Sequence, residues 1–232
     1  MSDNLKSFVF AAVMCLVCSI LLTAASSGLK EFQQKNIFLD KQKNILKSVG
    51  LVHAEKAYSS EHIEKLYADN ISSLWTDAEG KIIQEKERTP KSLPLYLYKQ
   101  KDIVESYIIP IESRGLWGKI FGYLAVKNDG STISGFTVYK HSETPGLGGE
   151  IEKQWFQKNF EGKKITDQGG GFVSVSIVKG AASKENQDHL VDGISGATLT
   201  GKFLSTGLKE ILLEYEPVAV RFRKNRELKI EN

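Results

Sequence analysis

Near the C-terminal end, the residues Asp192-Gly193-Ile194-Ser195-Gly196-Ala197-Thr198 run into Leu199-Thr200-Gly201 and then into a helix-compatible stretch from Lys202 to Tyr215. A small-residue loop opening a helix leaves backbone N–H groups without intrahelical acceptors, at the positive end of the helix dipole, and such a place holds phosphate. Thr198 adds a hydroxyl there, and Gly196 and Ala197 before it leave that oxygen open to a large phosphorylated donor. The chemistry this combination suits is formation of a phosphoester. The ordinary alternative is that Ser195, Thr198 or Thr200 N-caps the helix, and on the helix signal alone capping is the commoner role for such hydroxyls.

Two further segments stand out. Glu143-Thr144-Pro145-Gly146-Leu147-Gly148-Gly149-Glu150 is turn-rich, with glycines that permit positive φ and close backbone approach. Leu147, alone among small residues, would be exposed there unless something flat covered it. The segment has neither the G-x-G-x-x-G spacing nor a Walker lysine, so it is no Gly-rich phosphate loop, and the plain alternative is a strand-to-helix connection. Arg114-Gly115-Leu116-Trp117-Gly118 is a tight turn carrying an aromatic ring, whose plain alternative role is that of a core tryptophan. Trp155 and Phe156 read as core. His53 and His62 have no partners at ligand spacing, so no metal is expected.

These segments need elements to hold them. From Leu93 the pattern is β-rich: Leu93 to Tyr98, Ile103 to Ile109, Phe121 to Val126 and Ile133 to Tyr139, with Asn128-Asp129-Gly130 as a hairpin turn between the last two. A helix is expected from Glu150 to Phe160, a strand from Phe172 to Val178, then the phosphate-type loop and its helix. The order implies an α+β fold, an antiparallel twisted sheet with packed helices. Before it, a polar helical stretch ends near Trp75, and the segment 30–92 reads as juxtamembrane helix or stalk.

The chain of 232 residues, 41% hydrophobic and 25% charged, suffices for one sizeable core and argues against two equal domains. A net charge of +3, without a basic run, gives no reason to expect nucleic acid. From Ser7 to Leu29 there is no charge, between Lys6 and Lys30. As a helix this run spans roughly 34 Å against about 30 Å of hydrocarbon, one membrane crossing. A signal peptide cleaved near Thr23-Ala24-Ala25 is the rival, but the length favours an anchor over residues 7–29, after a tail of residues 1–6. Both cysteines, Cys15 and Cys18, lie inside this run and read as small apolar residues of the anchor. Lys30, Lys35, Lys41, Lys43 and Lys47 following it would, by simple counting, put the main domain inside the cell.

The Asp192–Thr198 stretch resembles the flavinylation motif Asp-x-x-Ser/Thr-Gly-Ala-Thr of a family of FMN-binding domains whose members carry FMN esterified through its phosphate to the last threonine. Glu143 to Gly148 is similar to the family's second signature, Glu-Thr-Pro-Gly-Leu-Gly. The family includes the C subunits of sodium-translocating NADH:quinone reductases and the G subunits of Rnf-type electron-transport complexes; the Gly-Leu-Trp turn at Gly115 looks like the former. The resemblance implies that Thr198 is the covalent attachment point, that Asp192, Ser195, Gly196, Ala197 and Thr200 frame the loop, and that Thr144, Gly146, Leu147 and Trp117 wall the flavin ring. Lys179 would place a positive charge near the flavin or its phosphate. It implies an FMN-binding domain over residues 93–215, with 216–232 as a tail, in an electron-relay subunit of a membrane complex. NADH would be oxidised elsewhere, because the chain has no dinucleotide fingerprint. Further implications are other subunits as partners, a flavin transferase using FAD, and an inner-membrane location with the main domain extracytoplasmic. The distant alternative is a membrane-tethered binding module without redox chemistry.

Overall fold

The computed structural model describes residues 2–53, 55–101, 103–183 and 186–224, in two compact units dividing after Lys41. Among its described residues the first unit is helical from Asp3 onward. Helix α1, Asp3–Ser48, contains the uncharged run and is the one helix among the described residues long and apolar enough to cross a membrane. Its large side chains, Phe8, Phe10, Leu16, Ile20 and Leu22 among them, are exposed, as a lipid-facing surface would be.

The second unit begins with the last turns of α1, where Gln42, Asn44, Ile45, Leu46 and Ser48 are buried. The Thr137 hydroxyl donates to Asn44 O at 3.4 Å. Then come α2 (Ser60–Asn70), β1 (Ile71–Thr76), β2 (Ile82–Ile83), β3 (Leu93–Gln100), β4 (Ile103–Arg114), β5 (Lys119–Lys127) and β6 (Ile133–Lys140). The six strands form one antiparallel sheet in the order β2-β1-β3-β4-β5-β6. Alternation along the strands sorts its faces: Leu95, Leu97, Tyr107, Ile109 and Ile111 join one core, while Tyr96, Tyr98 and Ile108 between them do not. That core is closed by α3 (Gln154–Lys158), α4 (Thr198–Glu214) and α5 (Glu216–Lys224) through Phe156, Leu204, Leu208 and Phe222. A parallel pair, β7 (Ser176–Ile177) and β8 (Leu190–Val191), leads into α4.

The antiparallel α+β expectation holds, and the four long strands β3 to β6 lie where the β-rich runs put them. Helical readings near the ends do not hold. The segment 30–92 is not helical throughout: α2 stops at Asn70, and Trp75 lies in β1, which pairs residue by residue with β3 from Ile71↔Tyr98 to Thr76↔Leu93. The Ile, Trp and Thr of that strand suit a pleated surface, and pairing decides the matter. Residues 216–224 are no tail. Pro217 sits in the first turn of α5, where it needs no N–H acceptor, and Val218, Ala219 and Phe222 bury one face; residues 225–232 lie outside the described residues. The helix expected from Glu150 to Phe160 divides into a 3-10 turn, Gly148–Glu152, and α3, because Lys153 is extended (φ −78°, ψ 143°). The strand expected over Phe172 to Val178 pairs regularly only at Ser176–Ile177, after Ser174 takes positive φ (75°). Trp155 is 49% exposed, its Nε1 donating to Glu150; only Phe156 is core.

Candidate functional site

After β8 the chain turns through a backbone-tight loop. Gly193 N donates to Gly180 O at 2.7 Å, and the Asp192 carboxylate accepts from Ala182 N at 2.8 Å, so the loops after β7 and β8 are pinned together. Gly196 takes φ +76°, and Ala197 N closes the turn on Ile194 O. Ala197 is the N-cap and no side chain caps the helix. The hydroxyls therefore have distinct places. Ser195 is exposed in the loop, Thr200 is 2% exposed and donates to Glu143 at 2.6 Å, and Thr198 is the first helical residue, exposed, with no hydrogen-bond partner among the described residues. Amides without a side-chain cap at the head of a 17-residue helix, with an open hydroxyl beside them, suit an anion such as a phosphate.

Thr198 borders two clefts. One, of about 330 Å³, is lined by Leu116, Trp117, Thr144, Leu147, Thr198 and Leu199. Its apolar groups stand open: Trp117 is 69%, Leu147 43% and Leu199 52% exposed. Leu147 fits there because Gly196 lacks a Cβ, which would stand 2.7 Å from Leu147 Cδ2. Thr144 shapes the loop with its carbonyl, which accepts from Leu147 N and Gly149 N, and Gly146 supplies the positive φ of the turn (73°). The other cleft, of about 200 Å³, is lined by Ile177, Lys179, Gly193, Thr198, Lys202 and Ser205 among others.

The residues singled out in the sequence thus fall into three groups around one hydroxyl. Trp117, Thr144 and Leu147 share the apolar cleft with Gly196, Ala197, Thr198 and Thr200; Lys179 lies in the second cleft with Ala197 and Thr198; Asp192, Ser195 and Gly146 line neither. Lys202 carries no sequence signal by itself, but it lies four residues after Thr198 on α4, the spacing that puts two side chains on one helix face. Glu143 begins a segment the sequence marked, yet its part there is visible only in three dimensions. Its carboxylate, 5% exposed, accepts from Thr200 Oγ1 and from Trp117 N at 3.0 Å.

Behind Glu143, its own N–H donates to His141 Nδ1 at 3.1 Å, which leaves the His141 proton on Nε2, facing Glu152 at 3.2 Å. The Glu152 carboxyl lies below its ordinary range, chiefly through the hydrogen bond from Lys153, with burial opposing and His141 adding to the lowering. A flat apolar wall, an open hydroxyl, uncapped amides and two nearby lysines suit a planar phosphorylated cofactor.

Residues 115–213 match the family described as FMN-binding domain. The C subunit of the Na(+)-translocating NADH-quinone reductase of Yersinia pestis is 33% identical over 225 residues, covering 84% of this chain and 83% of its own. Its counterpart from Vibrio campbellii is 33% identical over 235 residues, covering 86% and 87%. The crystal structure of the C subunit from Parabacteroides distasonis superposes with a TM-score of 0.71 at 33% identity, covering 86% of this chain and 98% of that one. The chain belongs to the family of C subunits of Na(+)-translocating NADH-quinone reductases.

Proposed function

We propose that the chain is an electron-relay subunit of a membrane-bound sodium-translocating NADH:quinone oxidoreductase, carrying FMN as a phosphoester on Thr198. The observation that carries this reading is the Thr198 hydroxyl, exposed and unpartnered at the head of an uncapped helix, on the ridge between an apolar cleft and one bearing Lys179 and Lys202. FMN, when bound, supplies the redox chemistry by accepting and passing on electrons.

The chain's own groups do the holding. Leu147 and Trp117 offer apolar faces for the ring, a stack worth about 0.5 to 1.5 kcal/mol beyond burial. The first-turn amides of α4 and the lysines of the second cleft offset the phosphate charge. Gly196 and Ala197 keep the hydroxyl accessible during loading. Thr198 Oγ supplies the nucleophile for the ester, replacing AMP on the FMN phosphorus of FAD. No side chain within hydrogen-bond distance among the described residues takes its proton, so a separate flavin transferase supplies the base. Tethering makes rebinding intramolecular, with an effective concentration reaching roughly the mM range, so a shallow, open site suffices.

Residues 7–29 of α1 anchor the chain, the main domain faces away from the cytoplasm, and other subunits oxidise NADH. Intact mass of the full chain, co-expressed with a flavin transferase, tests the central point. One added FMN less one water is expected; an unmodified chain that folds and meets an active transferase would overturn it.

A further inference from the structure

Two stretches remote in sequence converge on one buried carboxylate. Glu143 Oε1 accepts from the backbone N–H of Trp117, in the β4–β5 turn. Glu143 Oε2 accepts from the Thr200 hydroxyl, in the first turn of α4. The Glu143 backbone N–H is itself held by His141 Nδ1. Two glycines make room: a Cβ on Gly115 would stand 2.5 Å from Oε1, and one on Gly148 would stand 2.7 Å from Oε2 and 2.6 Å from Thr200 Oγ1. Apart from the turn's own closing bond, Gly115 N to Gly118 O, the Trp117 amide to Glu143 is the backbone hydrogen bond that fastens this turn to the rest of the site.

We propose that Glu143 is a positioning residue, whose buried carboxylate ties the Trp117 turn to the first turn of α4 and thereby sets the width of the apolar cleft beside Thr198. The cleft is lined by Trp117 of the turn, by Thr198 to Thr200 of α4 and by Glu143, whose carboxylate bonds to both stretches. Charge-assisted bonds to a buried carboxylate are about twice as strong as neutral ones, so the backbone that carries the exposed Trp117 ring is held in place although the ring itself is not packed. The consequence for flavin rests on the function proposed above; the tie itself does not.

The full chain in detergent, with and without co-expressed transferase, provides the test through Glu143→Ala, Glu143→Gln and Thr200→Val. The first readout needs no flavin: amide exchange at Trp117, followed by NMR. Glu143→Ala should speed it by about tenfold or more, whereas Glu143→Gln should preserve most of the protection. The Gln oxygen can accept from Trp117 N–H while its amide donates to Thr200 Oγ1 after that hydroxyl turns round.

The second readout is iodide quenching of flavin fluorescence in the loaded chain. Glu143→Ala and Thr200→Val should each steepen it about twofold, their combination little more, and Glu143→Gln hardly at all. Unchanged Trp117 exchange in Glu143→Ala, or equal loss in the Gln variant, overturns the tie. Should Glu143→Ala not fold, unchanged quenching in Thr200→Val overturns it. A wild-type chain without flavin would sink the function proposed above, while the exchange measurement would still decide the tie.

Discussion

The carbonyl oxygen of Val178 lies 2.0 Å from the point a Cβ on Gly193 would occupy. Gly193 N in turn donates to Gly180 O, so the loop that opens α4 lies directly on the backbone leaving β7. Gly193→Ala must push the two apart, and overpacking of this kind costs about 1 to 3 kcal/mol. We expect a lowered urea midpoint and poor flavin loading together, since the same loop presents Thr198. Normal loading at wild-type stability would show that the close approach has no bearing on the site.

Thr198 and Thr200 lie two residues apart, and the fold gives them opposite surroundings. Thr198→Ala removes an exposed, unpartnered hydroxyl, so stability should stay within about 0.5 kcal/mol while covalent flavin disappears. Thr200→Ala should still be loaded, but it strips a buried carboxylate oxygen of its donor, at a cost of about 1 to 3 kcal/mol. Fluorescence of denatured gel bands and a urea titration read both effects. A fluorescent band from the Thr198 variant would move the attachment elsewhere.

Much of this was legible in the sequence where local signals and tertiary demands agree. The β5–β6 hairpin is set by Asn128-Asp129-Gly130, with Gly130 at φ +66°, and the long strands carry their own alternation. Segments whose state depends on partners were not legible. Ile71 to Thr76 becomes a strand because β3 offers it an edge, and Val218, Ala219 and Phe222 become core because the sheet offers a face. At the site, small residues and hydroxyls declared themselves by type and spacing. Glu143 did not, because its partners lie 26 and 57 residues away and a lone glutamate has no periodicity. Nor could the sequence tell that Lys179 would line a different cleft at Thr198 from the one Trp117 lines.

Leu147 and Trp117 are only partly buried, so truncating either gives up part of a side chain's burial, about 1 to 2 kcal/mol, and the fold should stand. Leu147→Ala should be loaded normally and show its flavin more accessible to quencher. Unchanged quenching would take the Thr144–Leu147 loop out of the flavin site.

Asp129 makes a pH-dependent contribution. Burial alone would raise its carboxyl, but the Thr132 hydroxyl, the N–H groups of Thr132 and Ser131, and Lys127 outweigh this and hold it below the ordinary aspartate range. A depressed folded value means stabilisation fully present above the unfolded value of about 4, and lost as pH falls through the folded one. The site is half exposed, so the effect should be under about 1 kcal/mol. The stability gap between wild type and Asp129→Asn should be open at pH 7 and shrink below about pH 4. Equal gaps at pH 7 and pH 3 would assign the turn's stability to geometry alone.

The side of the membrane on which the main domain lies sets two signals against each other. Lys30, Lys35, Lys41, Lys43 and Lys47 follow the apolar run, and by the positive-inside rule they would keep that flank in the cytoplasm. That rule governs short loops, however, and long domains are translocated largely regardless of charge. The opposing signal is the resemblance of the Asp192–Thr198 motif to a family of extracytoplasmic flavin domains, and on it we expect the extracytoplasmic side. Asn128 is a poor reporter, being half-buried with its N–H on Glu105 O. Gln168 is exposed at a turn whose backbone is held by Asp167, so Gln168→Cys should fold normally. Cys15 and Cys18 lie within the apolar run, where a charged, membrane-impermeant maleimide should not reach them, and Cys15→Ser/Cys18→Ser gives the cleaner background. In cells with a permeabilised outer barrier and an intact inner membrane, Gln168→Cys should be labelled. Labelling that appears only after the inner membrane is opened would place the domain in the cytoplasm and leave the lysines as the deciding signal.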